Sequence, residues 1–114
     1  MDNVTGAIFM AYGDVQMPST DSRTLITVSH DDGLSWANAT AVQKKGGGII
    51  KSANPGIGRG FVIFNASLPT KTRLILPTES GSLFSDDHGI SWTLGPFPAG
   101  ADYVGENSIA RCTP

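Results

Sequence analysis

Ser85-Asp86-Asp87-His88-Gly89-Ile90-Ser91-Trp92 repeats Ser29-His30-Asp31-Asp32-Gly33-Leu34-Ser35-Trp36 almost residue for residue, and the shared pattern is Ser-x-Asp-x-Gly-x-Ser-Trp. The step from position 29 to position 85 is 56 residues. A self-similar turn at such a step is the signature of a repeat architecture whose unit is one small β-sheet. Each residue type has a job in a tight turn between antiparallel strands. Ser and Asp side chains accept hydrogen bonds from backbone N–H groups one or two residues on, standing in for the ladder where the chain reverses. Gly33 and Gly89 supply a backbone angle that a residue with a Cβ resists. The closing Ser–Trp pair begins the return strand, where the indole fills the gap between neighbouring sheets while its N–H finds an acceptor. The motif therefore reads as a structural turn, carried by Ser29, Asp31, Gly33 and Trp36 and again by Ser85, Asp87, Gly89 and Trp92.

Outward from the two turns, apolar runs of about four to six residues alternate with turn signals, which is all-β spacing, and no helix is expected. Ala7–Tyr12 reads as a buried strand, and Thr24–Val28, rich in β-branched residues, leads into the first turn after a loop over residues 14–23. Trp36–Val42 is the returning strand, with Asn38, Thr40 and Gln43 giving it a solvated side. Lys44-Lys45-Gly46-Gly47-Gly48 is a flexible connector; a phosphate cradle would need the Lys after the glycines and a helix beyond. Gly56, Gly58 and Gly60 let the backbone approach a neighbouring strand or a ligand. Phe61–Phe64 follows as a strand, residues 65–70 turn, and Arg73–Pro77 is a strand that leaves its ladder at Pro77. Gly81–Phe84 runs into the second turn, Trp92–Pro96 runs out of it, and Tyr103–Cys112 starts another strand.

Residues 49–98 thus hold a full four-strand set, residues 6–43 the last three strands of a preceding set, and residues 103–112 the first strand of a third. The expected fold is all-β, a partial β-propeller with one complete four-stranded antiparallel blade and parts of the two neighbouring blades. A closed propeller commonly needs roughly 200 residues or more, so the 114 residues are expected to be an internal piece of one.

A formal net charge of −2 gives no electrostatic reason to expect nucleic acid or an anionic membrane as partner. No apolar run approaches the roughly 20 residues that span a bilayer. Cys112 is the single cysteine, so an internal disulfide and a cysteine-based metal site are excluded, and it reads as a small buried hydrophobe. Met1–Gly6 lacks a basic residue followed by an apolar run, the pattern of a signal peptide, and localisation stays open. Asn3-Val4-Thr5, Asn38-Ala39-Thr40 and Asn65-Ala66-Ser67 match the N-glycosylation sequon, although Ser and Thr are frequent enough here that chance accounts for most such matches. His30 and His88 read as surface residues of the turns.

The two turns resemble the Asp-box of sialidases (neuraminidases), six-bladed propellers that cleave terminal sialic acid from glycans. Thr5–Tyr12 is similar to the family's strand before its Asp-box, Asn54–Gly60 to its Gly-Pro-Gly-x-Gly loop, and Arg73–Pro77 to its Arg-Leu-Val-Val-Pro strand. Gly105-Glu106-Asn107-Ser108-Ile109 resembles the stretch carrying a catalytic Glu. The resemblance covers nearly the whole chain in order and spacing. It implies an exo-α-sialidase with a retaining mechanism, a Tyr nucleophile and a Glu base, acting on a sialylated glycan without a cofactor or a metal.

On the residues alone Glu106 reads as a solvated strand-edge carboxylate; by that resemblance it is the base, while Glu79 and Arg59 are candidate substrate contacts. Glu79 is equally read as a solvated loop carboxylate, and Arg59 as a rim residue. Arg111 is not one of the family's carboxylate-binding arginines, and neither Tyr12 nor Tyr103 matches the nucleophile's position. The early arginine and acid/base Asp are expected before Met1, and the later arginines and the Tyr after Pro114. The isolated chain is therefore expected to be inactive and to expose sheet faces that missing blades or self-association would cover. A non-catalytic Asp-box propeller that binds a glycan or protein is the alternative, and a free-standing β-sandwich a third.

Overall fold

The computed structural model describes residues 5–14, 21–51, 53–55 and 60–96. They form two antiparallel sheets and no α-helix. The first sheet has the order β1 (Ile8–Asp14), β2 (Arg23–Ser29), β3 (Thr40–Ala41), and the second the order β4 (Phe61–Phe64), β5 (Thr72–Thr78), β6 (Gly81–Ser85), β7 (Thr93–Pro96). Each is a meander in which sequence neighbours pair, so short turns suffice to build it. No helix among the described residues is long and apolar enough to cross a membrane. Expected strand 103–112, Glu106, Arg59 and Cys112 lie outside the described residues.

Register decides which side chains share a face, because the strand period is two. Ile26 pairs with Ala11 and Val28 with Phe9, so these four occupy one face of the first sheet. In the second sheet Val62 pairs with Leu74, Leu76 with Leu83, and Leu83 with Leu94. These two faces meet. The core comprises Ile26, Val42, Ile50, Ala53, Leu74, Leu83 and Trp92, with Phe9, Ala11, Val62, Leu76 and Leu94 packed around it.

The 56-residue step exposes the sense of this stacking. Leu83, on the face of the second sheet turned toward the first, corresponds to Thr27, on the face of the first turned away from the second; Val28, on the face of the first turned toward the second, corresponds to Phe84, on the face of the second turned away. The two sheets therefore stack head-to-tail, each presenting a different face to the other. Trp92 is 5% exposed and its counterpart Trp36 is 39% exposed, alongside Met10 and Tyr12 on the open side of β1.

Two strands differ from expectation. The returning segment 36–42 has a regular ladder only at Thr40–Ala41, although Ala37 N–H donates to the Val28 carbonyl (3.0 Å) and Val42 N–H to the Thr24 carbonyl (3.0 Å). The Thr27 hydroxyl also donates to the Ala37 carbonyl, so a side chain takes part of what a longer ladder would use. Pro77 does not end β5; it pairs with Ser82 in β6. The named pairing of β4 stops at Phe61 with Ile75, so Pro77 leaves that ladder alone and remains in the other. A Cβ at Gly60 would lie 2.8 Å from the Ile75 carbonyl oxygen, so at this glycine the close approach is to a strand. The connector 44–48 closes as a tight loop, with Lys44 N–H bonded to the Gly48 carbonyl at 2.8 Å and positive φ at Gly46, Gly47 and Gly48.

Candidate functional site

The Asp-type turns sit at one end of the two sheets, and their motif acids Asp31 and Asp87 are engaged in holding the turns closed. In the first, the Ser29 hydroxyl donates to Asp31 Oδ1 (2.8 Å) and accepts from Gly33 N–H (2.8 Å), while Asp31 Oδ1 accepts Ser35 N–H (2.8 Å). In the second, Ser85 donates to Asp87 Oδ1 (2.8 Å) and accepts from Gly89 N–H (2.9 Å), while Asp87 Oδ1 accepts Ser91 N–H (2.9 Å). The Ser35 and Ser91 hydroxyls donate to the remaining carboxylate oxygens. Each indole N–H donates to the turn glycine's carbonyl, Trp36 to Gly33 at 3.2 Å and Trp92 to Gly89 at 3.1 Å.

Electrostatics follow from these bonds. The Ser35 hydroxyl and N–H, with Ser29, hold the Asp31 carboxyl below its ordinary value. Burial pushes Asp87 up, but donors from Ser91, Ser85 and Ile90 together outweigh it and leave its pKa lowered. Such carboxylates are acceptors already satisfied, which suits a fastener and not a proton shuttle.

Sequence reasoning missed three features here. Asp32 (φ 60°) and His88 (φ 58°) precede the glycines in the left-handed region, so two successive residues carry the reversal. Asp and His are enriched in that region among non-glycine residues, so the signal was present. His88 is half-buried and His30 exposed. Both line a groove of about 360 Å³ with Phe9, Ile26 and Ile90. The third is the Arg73–Asp86 pair, with Nε–Oδ1 2.7 Å and Nη2–Oδ2 2.8 Å, the guanidinium 4.5 Å from the Phe84 ring centroid. Arg73 holds Asp86 below its usual range. The pairing of Leu74 with Ser85 sets these two neighbours side by side.

The opposite end carries a second set of polar groups. β1 ends there at Asp14, which accepts from Arg23 Nε at 2.7 Å, and the β5–β6 hairpin turns there at Glu79. Asn54 ties the two sheets together at this rim. Its carbonyl accepts Glu79 N–H (2.9 Å), its Nδ2 donates to Glu79 Oε2 (3.3 Å), and its Oδ1 would be 3.2 Å from a Cβ at Gly13. That Oδ1 is buried without a partner among the described residues. Thr24 and Thr78, both fully buried, brace the same rim by donating to the carbonyls of Ala53 (2.6 Å) and Gly81 (2.9 Å).

Glu79 is half-buried, and its Oε2 accepts from Asn54 Nδ2. Among the described residues no group of three or more His, Cys, Asp or Glu could hold a metal ion. No protein-family model matches the chain, and no solved structure matches it.

Proposed function

We propose that the chain is a segment of a sialidase-type β-propeller whose parent is an exo-α-sialidase, a retaining glycosidase that removes terminal sialic acid from glycoconjugates. The observation that supports it is the pair of turns, alike bond for bond, closing two consecutive sheets stacked head-to-tail. In this reading β4–β7 is one complete blade, β1–β3 are the last three strands of the blade before, and residues 103–112 begin the next. The open faces receive further blades.

Sialic acid carries a carboxylate beside its anomeric carbon, so an anionic Asp or Glu nucleophile suffers like-charge repulsion on approach. A neutral tyrosine phenol avoids this, and sialidases are an exception to the two-carboxylate scheme for that reason. With an ordinary pKa near 10 the phenol needs an adjacent base. Glu106 is that base by motif, Glu79, at the end opposite the turns, is a substrate contact, and Arg59 is a second contact by the same resemblance. The Tyr nucleophile, the acid/base Asp and the carboxylate-binding arginines belong to the parent protein, so the isolated chain is inactive.

A non-catalytic propeller of the same type, binding a glycan or protein, is the second reading: the turn carboxylates are consumed in architecture, which is compatible with either. Release of a fluorogenic aglycone from a sialoside separates the readings. The full open reading frame is active and its Glu106→Ala variant is not, while the isolated chain releases nothing. An inactive full-length protein that still retains sialoside favours the binding reading.

A further inference from the structure

We infer that Asn65 is an acceptor for N-linked glycan, the position at which this chain is modified when it passes through a secretory pathway. Of the sequons Asn38-Ala39-Thr40 and Asn65-Ala66-Ser67, both among the described residues, only the second is folded so that hydroxyl and amide meet. The Ser67 hydroxyl donates to Asn65 Oδ1 at 2.7 Å, and the Ser67 N–H donates to the same oxygen at 3.1 Å. This is an Asx turn, closed within three residues. Asn65, Ala66 and Ser67 are all exposed, and Asn65 Nδ2 has no hydrogen-bond partner among the described residues.

Two donors on the carbonyl oxygen favour the form of the amide in which negative charge sits on that oxygen, which makes the nitrogen easier to deprotonate. Transfer then needs a lipid-diphosphate-linked oligosaccharide as co-substrate. A bond forms from Asn65 Nδ2 to the anomeric carbon, the anomeric carbon–oxygen bond to the diphosphate breaks, and the diphosphate leaves with the electron pair. The amide proton passes to a base of the transferase.

The first sequon lacks these features. Thr40 lies in β3, paired with Ile26, and no hydrogen bond joins it to Asn38. Asn38 lies outside β3, in a stretch with no turn to close the sequon. The Asx turn is local, so it is available before the sheets assemble, whereas β3 depends on β2. The loop that presents Asn65 is itself closed by Asn65 N–H to the Lys71 carbonyl (2.8 Å) and Lys71 N–H to the Leu68 carbonyl (3.0 Å). Asn65 follows Phe64, whose pairing with Thr72 puts it at the end of the sheet away from Glu79, so a glycan there leaves the Glu79 rim open.

The test is expression of the full chain behind a secretory leader in a eukaryotic host, followed by peptide-N-glycosidase treatment in heavy-oxygen water and peptide mass mapping. The expected result is labelled Asp at position 65 in several-fold excess over position 38, with the gel shift at that site lost in Asn65→Gln. Exchanging the hydroxyl residues (Thr40→Ser with Ser67→Thr) should leave the ranking unchanged. A bare Asn65, or occupancy at Asn38 equal to or above that at Asn65, overturns the inference.

Discussion

Trp36 and Trp92 occupy the same position of the repeated turn but not the same environment, so their truncations should differ by a predictable amount. Each indole donates to a glycine carbonyl, a bond worth about 1 kcal/mol that both variants lose equally. The difference lies in burial, since Trp92 is 5% exposed and Trp36 39%. About a third of a side chain that buries roughly 200 Å² is then at issue, or ~70 Å², worth ~1.7 kcal/mol at ~25 cal/mol/Å². Trp92→Ala also leaves an enclosed void among Ile26, Leu74 and Leu83, whereas water fills the space left by Trp36. Trp92→Ala should therefore cost roughly 2–3 kcal/mol more than Trp36→Ala, within the roughly 3–5 kcal/mol of buried aromatic truncations. The chain has two tryptophans, so each variant keeps one reporter, and urea unfolding followed by fluorescence gives both costs. The remaining Trp92 should emit bluer than the remaining Trp36. Equal costs in dilute, monomeric protein would refute the head-to-tail arrangement, because Trp36 would then be as covered as Trp92.

The turn glycines should separate in the same direction. Both have φ +87°, but a Cβ at Gly89 would lie 2.7 Å from Phe9 Cε1, against 3.8 Å from Trp36 Cζ2 at Gly33. Gly33→Ala should cost about 1 kcal/mol for the left-handed backbone and Gly89→Ala a further ~1–3 kcal/mol of overpacking, read as a larger fall in Tm. Acid should weaken the fold through Asp31, Asp86 and Asp87, whose folded pKa values are all lowered from 3.8. Their contribution is present above that unfolded value and is lost as the pH falls through the lower folded ones, so the urea midpoint should drop below about pH 4. Asp87→Asn should lower the midpoint at neutral pH and flatten that acid limb; an unchanged limb counts against the assignment. Arg73→Ala should cost about 1 kcal/mol or less, because both partners of its pair are about a third exposed. Arg73→Lys should recover little of it, since Lys supplies neither the two-pronged bond nor the stack on Phe84, and a full recovery in the unfolding midpoint would show that charge alone matters.

The sheets were legible from sequence because the turns are local: Ser, Asp and Gly at fixed offsets set the reversals, and the β-branched run Thr24–Val28 needs little more than a partner. The fate of residues 36–42 was not, because it depends on the Thr27 hydroxyl claiming a carbonyl ten residues away. Pro77 was misread for a related reason. Its missing donor matters only on the side where a strand lies, and that side is fixed by where β4 stops. At the rim, Glu79 was visible as a carboxylate after a strand, but its orientation by Asn54 is a contact across 25 residues that spacing alone does not encode.

The repeated turn carries more information about the architecture of the fold than about its function. Four of its acids, Asp31, Asp32, Asp86 and Asp87, invite reading as a carboxylate cluster. Asp31 and Asp87 are spent on serine and backbone donors, Asp86 on Arg73, and Asp32 stands at the left-handed corner. Because β2 and β6 each run from the far rim into a turn, fixing the turns at one end sends Asp14, Arg23, Asn54 and Glu79 to the other. That end keeps a half-buried carboxylate bonded to Asn54 and a buried amide oxygen without a partner among the described residues. Groups of this kind are held by structure yet not exhausted by it, which is the condition a binding or catalytic rim must meet.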